Sequence, residues 1–486
     1  MRIRTIGSFA GACCLTIGAV AAAGPAVADP ESPLAGARPV YVTNADSANV
    51  SLFIADVSTG TPELDHPLAK AGAGARQMVF TPDGRRAYAA NSDDATISAF
   101  SVGPQARLTP LPGDAGTVHT GGTTPVGVSV RPDGHTLYVA DVDDGTVTAF
   151  TIASGGSLTK FQTIATTVAN PRGLSVTPDG RFLYAGHGDT NAGTRPTSVG
   201  AITTFAIGKD GSLAPAGSPI RVGRFCGTNA ITPDGRRLYL VCQDTDEIYG
   251  FAIGDDGGLS PLPRSPYPVP DFPEGIATAP DGRYVWVASV GLGHEPEGPG
   301  AVSGFAIGGD GALTPVPGSP VTAGLFPVGI TVQPNGRFVY ASGGDTFGQL
   351  NAFRVGATGR LSPLAGSPFR TGGLGPAFNS ASVRPDQGPT AVFTTTVDGR
   401  SASFDASAST DPDGTVTRYR WDFGDGTTQT TTVPRTAHTY GQSGTFRATV
   451  VVTDNENCST SLIATGQAVL CNGTADAAAT HDIVVR

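Results

Sequence analysis

Charged side chains recur at one position of an internal repeat in this 486-residue chain. Their residue types are those expected of a ligand-binding or catalytic site. When the repeats are aligned by a turn that they share, Arg76, Arg172 and Glu274 take equivalent positions near the start of a predicted strand. Because a guanidinium is a planar fork that fits a carboxylate, this set is typical of a site for an anionic or polyhydroxylated ligand. The alternative is that the charges only pair with one another around a water-filled channel.

A second set of polar residues ends the next predicted strand of each repeat and is expected to lie beside the first set. It includes Asn91, Asp141 and His187. Catalysis would need a base or an activated water together with a group that stabilises an oxyanion. Arg172 fits the second role, and Glu274 or His187 fits the first. The candidate ligand-binding residues are therefore Arg76, Asn91, Asp141, Arg172, His187 and Glu274.

Most other site signatures are absent from the sequence. It contains no GxSxG elbow, HExxH helix, phosphate-binding loop or dinucleotide-binding glycine pattern. The seven histidines are scattered without metal-ligand spacing, so neither zinc nor another cofactor is expected. Asp411, Asp413 and Asp425 offer oxygen ligands for calcium, but Asp-Pro-Asp-Gly is also an ordinary turn sequence, and the turn is the favoured interpretation.

The repeat that positions these residues is built around a Pro-Asp-Gly turn. In Pro178-Asp179-Gly180 each residue favours a tight turn, and alternating apolar residues on both sides predict a hairpin. The turn prolines follow one another at intervals of 50, 46, 55, 47, 54 and 51 residues. This period is typical of propeller blades of about 40–50 residues. An aromatic residue occupies the same place in seven units: Tyr41, Tyr88, Tyr138, Tyr184, Tyr239, Trp286 and Tyr340.

The two ends of the repeat region are complementary half-units. Residues 41–53 supply a second and a third strand without an inner strand, and residues 378–386 supply an inner strand without partners. Joining them would complete one blade and leave no open sheet edge. The predicted fold is therefore all-β, with a seven-bladed β-propeller over residues 38–386 that is closed by its N- and C-terminal strands. An open solenoid, the alternative, would not need complementary half-units.

Residues 1–28 have the features of a signal peptide, with Arg2 and Arg4 before an apolar stretch and a small-x-small cleavage signal at residues 26–28. Residues 29–37 would then be a short N-terminal extension of the mature protein. The apolar stretch is short, so we expect export without a membrane span, to the medium or to the cell wall. A net charge of −10 without basic clusters argues against nucleic-acid partners. We expect a monomer.

Four cysteines follow the predicted signal peptide, and they form two local pairs. Counting from the intervening turn places Cys226 and Cys242 opposite each other at the open end of a hairpin, within bridging reach. Cys458 and Cys471 form the second pair near the C-terminus. Exported proteins keep disulfides, and neither pair has CxxC spacing, so we interpret both as structural disulfides.

The repeat resembles known propeller families. Tyr41-Val42-Thr43-Asn44, the Pro-Asp-Gly-Arg turns and a Phe-Ala-Ile-Gly phrase are similar to YVTN-repeat propellers and lactonase-like seven-bladed propellers. The lactonase resemblance implies a Pro-Arg-His phrase and an acidic partner at the starts of inner strands. Here Pro171-Arg172-Gly173 keeps the arginine without the histidine, and Pro273-Glu274-Gly275 keeps a glutamate. The Asn-Glu motif of that family has no counterpart in this chain.

The repeat stops after residue 386, and residues 387–390 are predicted to be a linker. Residues 391–486 resemble a PKD domain, an immunoglobulin-like β-sandwich, above all in the run Trp421-Asp422-Phe423-Gly424-Asp425-Gly426. Alternation along this run places Trp421 and Phe423 on one side of a strand, towards the sandwich core. The resemblance implies a spacer or a module that contacts carbohydrate or protein.

Three functions fit the sequence. We favour a secreted or cell-surface binding protein that uses the propeller mouth to bind a saccharide, a peptide or an envelope partner, because half of the lactonase motif is missing. The alternative is an exported lactonase-like hydrolase of the 6-phosphogluconolactonase type. The third is a structural component of a surface layer. Turnover of simple lactones would separate the hydrolase from the other two.

Overall fold

The computed structural model describes residue 34 and residues 36–188, 199–270, 272–291, 299–344 and 347–486. This part of the chain is mostly β-structure, with short 3-10 helices at Gly113–Gly116, Gln243–Thr245 and Ala475–Ala477. The predicted signal peptide and most of the extension at 29–37 lie outside the described residues. Among the helices of the described residues, none has the length and apolar character needed to cross a membrane.

Seven antiparallel sheets form the blades of a propeller, as the repeat predicts. We number them from blade 1, which contains both ends of the repeat region, to blade 7 in chain order. The inner strands, which line the channel, are Ala381–Val383 in blade 1 and then Ala75–Phe80, Pro125–Val130, Pro171–Val176, Cys226–Ile231, Pro273–Thr278 and Gly329–Val332. The second strands are Ala37–Asn44, Arg86–Asn91, Thr136–Asp141, Phe182–His187, Arg237–Cys242, Tyr284–Ser289 and Phe338–Gly343.

The outer half of each blade is more exposed than the inner half. The third strands are Asn49–Asp56, Thr96–Val102, Thr146–Ile152, Ala201–Ile207, Glu247–Ile253, Ala301–Ile307 and Gln349–Val355. Single outer strands occupy blades 1 and 3, at Pro62–Lys70 and Leu158–Ala165. In the other blades the outer position is divided between Leu108–Pro110 and Thr117–His119, Leu213–Pro215 and Ile220–Arg221, Leu259–Pro261 and Tyr267–Pro268, Leu313–Pro315 and Val321–Thr322, and Leu361–Pro363 and Phe369–Arg370.

Blade 1 closes the ring as predicted. Its inner strand Ala381–Val383 pairs antiparallel with the second strand Ala37–Asn44, and Tyr41 lies opposite Ser382. The second strand also pairs with Asn49–Asp56, the third strand of the same blade. The two ends of the repeat region are therefore joined by backbone hydrogen bonds in one sheet.

Each Pro-Asp-Gly turn links an inner strand to a second strand. In blade 4 the Asp179 carboxylate accepts hydrogen bonds from the Thr177 hydroxyl at 2.5 Å and from the Arg181 amide at 3.1 Å. Gly180 has a φ of 70°, a left-handed conformation that residues with a side chain rarely adopt. The local sequence thus determines the hairpin that starts each of blades 2 to 7.

The aromatic residue of each second strand forms a hydrogen bond that connects its blade to the next one. The buried Tyr88 hydroxyl donates a hydrogen bond of 2.8 Å to the carbonyl of Gly156, which lies in the turn after the third strand of blade 3. In blade 6 the Trp286 indole N–H takes the place of the hydroxyl. The other pairs are Tyr41 with Ala106, Tyr138 with Gly211, Tyr184 with Gly257, Tyr239 with Gly311 and Tyr340 with Gly60.

The C-terminal region forms a sandwich of two sheets. Trp421 and Phe423 lie in its core, as predicted, beside Phe393 and Phe404. One sheet contains Thr394–Asp398, Ser401–Asp405 and Arg435–Thr439, and the other contains Val416–Asp422, Thr428–Thr431, Gly444–Asp454 and Ala478–Val485. A third, small sheet contains Asp386–Gln387, Ile463–Ala464 and Val469–Asn472, so the predicted linker begins inside a strand.

Candidate functional site

Three charged residues converge at one end of the channel, and we call Arg76, Arg172 and Glu274 the mouth cluster. They stand near the starts of the inner strands of blades 2, 4 and 6. Each is partly exposed, whereas the equivalent residues of blades 3 and 7, Val126 and Val328, are buried. Both arginines lie close enough to act electrostatically on the glutamate. The structure therefore brings together three of the six candidate ligand-binding residues.

The Arg172 guanidinium is held between two aromatic rings. Its central carbon lies 4.6 Å from the ring centroid of Phe225 and 5.0 Å from that of Phe378. Cation–π contacts of this kind favour a fixed orientation of the planar group. A preoriented guanidinium suits the binding of a carboxylate or of a developing oxyanion.

Burial raises the pKa of the Glu274 carboxyl group above its ordinary value. The positive charges of Arg172 and Arg76 and a side-chain hydrogen bond from Gln243 oppose this rise without cancelling it. Arg76 is itself positioned by a hydrogen bond of 3.0 Å from its Nε to the Ser92 hydroxyl. A carboxylate with raised proton affinity can accept a proton from water, while the adjacent guanidinium groups bind an anion.

The second predicted set of residues does not reach the mouth. Asn91, Asp141 and His187 are each 0% exposed. His187 Nδ1 donates to the carbonyl of Ala169 at 3.1 Å, and its Nε2 accepts from the Thr203 hydroxyl at 2.9 Å. Burial lowers the pKa of His187 to about 4, so the ring is neutral at pH 7. The expectation that His187 lines the mouth within reach of a ligand is therefore wrong.

Asn91 and Asp141 have the same structural part in their blades. Asn91 Nδ2 donates to the hydroxyls of Thr96 and Ser98 at 3.0 and 2.9 Å, and the Thr148 hydroxyl donates to Asp141 at 2.8 Å. Burial raises the pKa of Asp141 to about 6. Both residues do stand beside the starts of inner strands, as predicted, but the loops that connect the blades pack against them. Their side chains link the second strand to the third instead of facing a ligand.

The three aspartates considered as calcium ligands have separate partners. Asp425 accepts a hydrogen bond of 2.7 Å from His438 Nε2. Asp413 forms an ion pair of 2.8 Å with Arg38 of the propeller. Asp411 accepts the backbone N–H of Asp413 at 3.4 Å, as expected for an Asp-Pro-Asp-Gly turn. The described contacts therefore follow the turn interpretation, with an arginine as the cation beside Asp413.

Both predicted disulfides are present, between Cys226 and Cys242 and between Cys458 and Cys471. The first joins residues that lie directly opposite each other in the hairpin of blade 5. Phe225 directly precedes Cys226, and Gln243 directly follows Cys242. The disulfide thus fixes two segments that contact the mouth cluster.

Sequence reasoning missed Phe225, Gln243 and Phe378, although all three contact the mouth cluster. The repeat alignment compared one position per strand, and these residues lie just outside the strands. Their adjacency to a predicted disulfide or to the start of an inner strand was the signal that could have identified them.

Two parts of the chain match known domain families. Residues 35–223 match the family model of the lactonase seven-bladed β-propeller, and residues 385–469 match that of the PKD domain. A microbial collagenase from Vibrio alginolyticus is 42% identical to this chain over 71 residues, which are 14% of this chain and 8% of the collagenase. The chain therefore spans less than a tenth of the length of that relative.

Solved structures share the propeller fold at low sequence identity. A candidate 6-phosphogluconolactonase from Bacteroides uniformis is 17% identical, with a TM-score of 0.59 over 72% of this chain and 99% of its own. The periplasmic gluconolactonase of Pseudomonas aeruginosa is 18% identical, with a TM-score of 0.58 over 72% and 99% of the two chains. The disulfides and the PKD domain indicate an extracellular protein. The chain is thus a seven-bladed propeller that matches the lactonase propeller model over residues 35–223, followed by a region that matches the PKD domain model.

Proposed function

We propose that this protein is an exported lactonase-like hydrolase that opens a sugar-type lactone at the propeller mouth. The observation that carries the proposal is the mouth cluster, in which Glu274 has a raised pKa and lies in the field of Arg172 and Arg76. The family match and the gluconolactonase of similar fold support the same function. Opening a lactone yields a carboxylate, and two guanidinium groups suit that charge.

Each residue of the mouth cluster has a separate role in this proposal. Glu274 accepts a proton from water, and the water oxygen forms a bond to the carbonyl carbon of the lactone. Arg172, oriented by its two aromatic neighbours, donates hydrogen bonds to the oxyanion that develops on the carbonyl oxygen. The ring C–O bond then breaks, and the leaving oxygen takes the proton from Glu274 to give the open hydroxy acid. Arg76 binds an anionic group of the substrate.

Initial rates on a panel of aldonolactones, with and without a phosphate group, test the proposal. We expect the unmodified protein to turn over at least one of them, and Glu274→Gln to lower kcat by about 10²–10⁴-fold, the contribution typical of a general base. Binding of the corresponding aldonate should stay measurable in this variant. Glu247→Gln, at the start of the third strand of blade 5, is the matched control and should keep full activity. Absence of turnover across the panel would overturn the proposal for this substrate class.

A non-catalytic binding protein, which the sequence favours, is the second candidate. The burial of His187 supports it, because a buried imidazole is withdrawn from the mouth, and one of the two base candidates, His187 and Glu274, is thereby lost. The same arginines would then bind a saccharide acid, an acidic peptide or an envelope partner. Calorimetry that detects aldonate binding to a protein without turnover would decide for this candidate.

We further propose that the protein is secreted or wall-associated, monomeric and without nucleic-acid partners. The division into a propeller ending at residue 386 and a PKD domain beginning at residue 391 stays a prediction as well. N-terminal sequencing of exported material should begin at residue 29, and light scattering should give the mass of one chain. A different first residue or a larger mass would contradict these proposals.

A further inference from the structure

A loop of the PKD domain enters the propeller channel from the end opposite the mouth cluster, and we call residues 465–470 the channel loop. It follows the strand Ile463–Ala464 and includes the first two residues of the strand Val469–Asn472. The Thr465 amide donates to the Ala468 carbonyl at 2.9 Å and so closes the turn between them. The Cys458–Cys471 disulfide closes the segment that carries this loop.

The channel loop is bonded to the inner strands of three consecutive blades. Val176 and Ile231, the last residues of the inner strands of blades 4 and 5, donate their amides to the carbonyls of Gly466 at 3.0 Å and Thr465 at 2.9 Å. The Ser129 hydroxyl of blade 3 donates to the same Gly466 carbonyl at 3.1 Å. The loop therefore occupies backbone donors that would otherwise face an open channel.

The fit between the channel loop and the propeller is close. A Cβ atom added to Gly466 would lie 2.7 Å from the Cβ of Ser175 and 3.1 Å from Cδ1 of Ile231. Leu470 is 2% exposed and packs into the core shared by blades 1 and 7. The cavity left between the loop and the inner strands measures about 30 Å³, which is room for about one water molecule. Among the described residues, the channel loop therefore narrows access to the mouth cluster from the opposite end of the channel.

Gln467, at the tip of the channel loop, is connected to the strand of blade 5 that supports the mouth cluster. Its Nε2 donates to the carbonyl of Asn229. The Asn229 side chain donates at 3.1 Å to the carbonyl of Gly173, the neighbour of the mouth arginine in blade 4. Thr228, which precedes Asn229, donates its hydroxyl to the backbone carbonyl of the mouth glutamate. Gln467 is thus connected to the backbone beside Arg172 through Asn229 and Gly173, and to the backbone of Glu274 through Asn229 and Thr228.

The other end of the same amide is connected to the aromatic support of Arg172. Gln467 Oε1 accepts a hydrogen bond of 2.9 Å from Asn379 Nδ2. Asn379 directly follows Phe378, whose ring lies against the Arg172 guanidinium. Displacement of Gln467 would therefore release both the backbone and the ring contacts that orient this arginine.

We infer that Gln467 is a positioning residue of the mouth site, and this inference rests on the proposed lactonase function. The PKD domain is then a structural part of the hydrolase, because its channel loop holds Asn229 and Asn379 in place. These two residues in turn hold the segments that carry the mouth cluster. Loss of the amide shifts the guanidinium and the carboxylate relative to the lactone, and a shift of about 1 Å is enough to lower a rate about 10²-fold.

Three variants of the full chain test the inference. Gln467→Met keeps the length of the side chain and removes its hydrogen bonds, Gln467→Ala also removes its packing, and Gln442→Ala changes an exposed glutamine of the same domain as the control. We expect both changes at Gln467 to raise KM or lower kcat for the preferred lactone by about 10- to 100-fold and to move the acid limb of the pH profile. The control should match the unmodified protein.

Kinetic constants and a pH profile that are unchanged in Gln467→Met would overturn the inference. Hydrogen–deuterium exchange tests the docking of the loop separately, since the amides of Val176 and Ile231 should exchange slowly in the unmodified protein. Fast exchange of these two amides would also overturn it. If the unmodified protein turns over no lactone, the proposed function fails alone, and the effect of Gln467→Met on aldonate affinity decides the inference instead.

Discussion

The chemistry of the mouth cluster depends on the surroundings of one carboxyl group. Burial raises the pKa of Glu274, and the charges of Arg172 and Arg76 limit the rise. A base whose pKa lies closer to the working pH accepts a proton more readily, as long as it remains ionised. Protonation at low pH removes that capacity. The proposed hydrolysis would therefore depend on pH through the carboxyl group of Glu274.

We expect kcat/KM to fall as the pH drops through the pKa of Glu274. This fall should occur at a pH above about 4.3, the pKa of an unperturbed glutamate. In Arg76→Ala the fall should begin at a higher pH, because removal of a positive charge raises the pKa further. Rates measured between about pH 4 and 8 for both proteins provide the test. An acid limb at the ordinary glutamate value, or one that Arg76→Ala leaves in place, would contradict this account.

Arg172 should contribute to binding more than to folding. We expect Arg172→Ala to weaken the binding of an aldonate by about 1.5–3 kcal/mol, the range for a hydrogen bond to a charged group. Its melting temperature should stay close to that of the unmodified protein, since the side chain is partly exposed. Arg221→Ala, on the exposed outer strand of the same blade, is the control for calorimetry. Unfolding of Arg172→Ala would instead identify the arginine as a structural ion-pair partner.

At the scale of strands and turns, much of the fold was predictable because each blade repeats the same local chemistry. The Pro-Asp-Gly turn sets a hairpin, and the half-units at residues 41–53 and 378–386 predict how the ring closes. The register also puts His187 beside Pro171, as expected. Whether a side chain then faces the mouth depends on the loops between the blades. A periodic sequence pattern does not predict how these loops pack. That is why the sequence predicts the register of His187 but not its burial.

The hydrogen bonds that the repeated aromatic residues form between blades should contribute measurably to the free energy of unfolding. Tyr138→Phe leaves the carbonyl of Gly211 without the hydroxyl that donates to it at 2.8 Å. We expect a loss of about 1–3 kcal/mol in the free energy of unfolding, the penalty for a buried unpaired group. Tyr284→Phe, which removes a hydroxyl bound to an exposed carbonyl at 3.2 Å, is the control and should change stability by about 0.5 kcal/mol at most. Equal urea midpoints for the two variants would show that the hydrogen bond between Tyr138 and Gly211 does not stabilise the propeller.

At the scale of the whole molecule, the docking of the PKD domain could not be predicted from local patterns. Arg38, in the first strand of the propeller, is 1% exposed and forms ion pairs with Asp386 at 2.7 Å and Asp413 at 2.8 Å. It also pairs with Glu456, in the segment that leads to the channel loop. The partners lie more than 300 positions away in sequence. The cysteine pair at 458 and 471 predicts a closed loop. The sequence of that loop does not indicate that it packs in the propeller channel.

Removal of the Arg38 charge should destabilise this docking strongly. Arg38→Met leaves three carboxylates of its ion pairs buried without their cation, and we expect a loss of about 3–5 kcal/mol in the free energy of unfolding. Arg107→Ala removes an arginine that is 52% exposed and paired with Asp65, so it should change stability by about 1 kcal/mol or less. Urea denaturation of the two variants measures the difference. Equal stability would show that the buried ion pairs do not hold the domains together.

In the proposed function, the mouth cluster binds the product of lactone opening, and the channel loop of the PKD domain supports it from the opposite end of the channel. A crystal structure of the full chain with a bound aldonate tests it most directly. We expect the aldonate carboxylate within hydrogen-bond distance of Arg172, a hydroxyl of the sugar acid at Glu274, and Gln467 still bonded to Asn229 and Asn379 beneath them. An aldonate bound away from these residues, or a channel from which the loop is absent, would contradict the account.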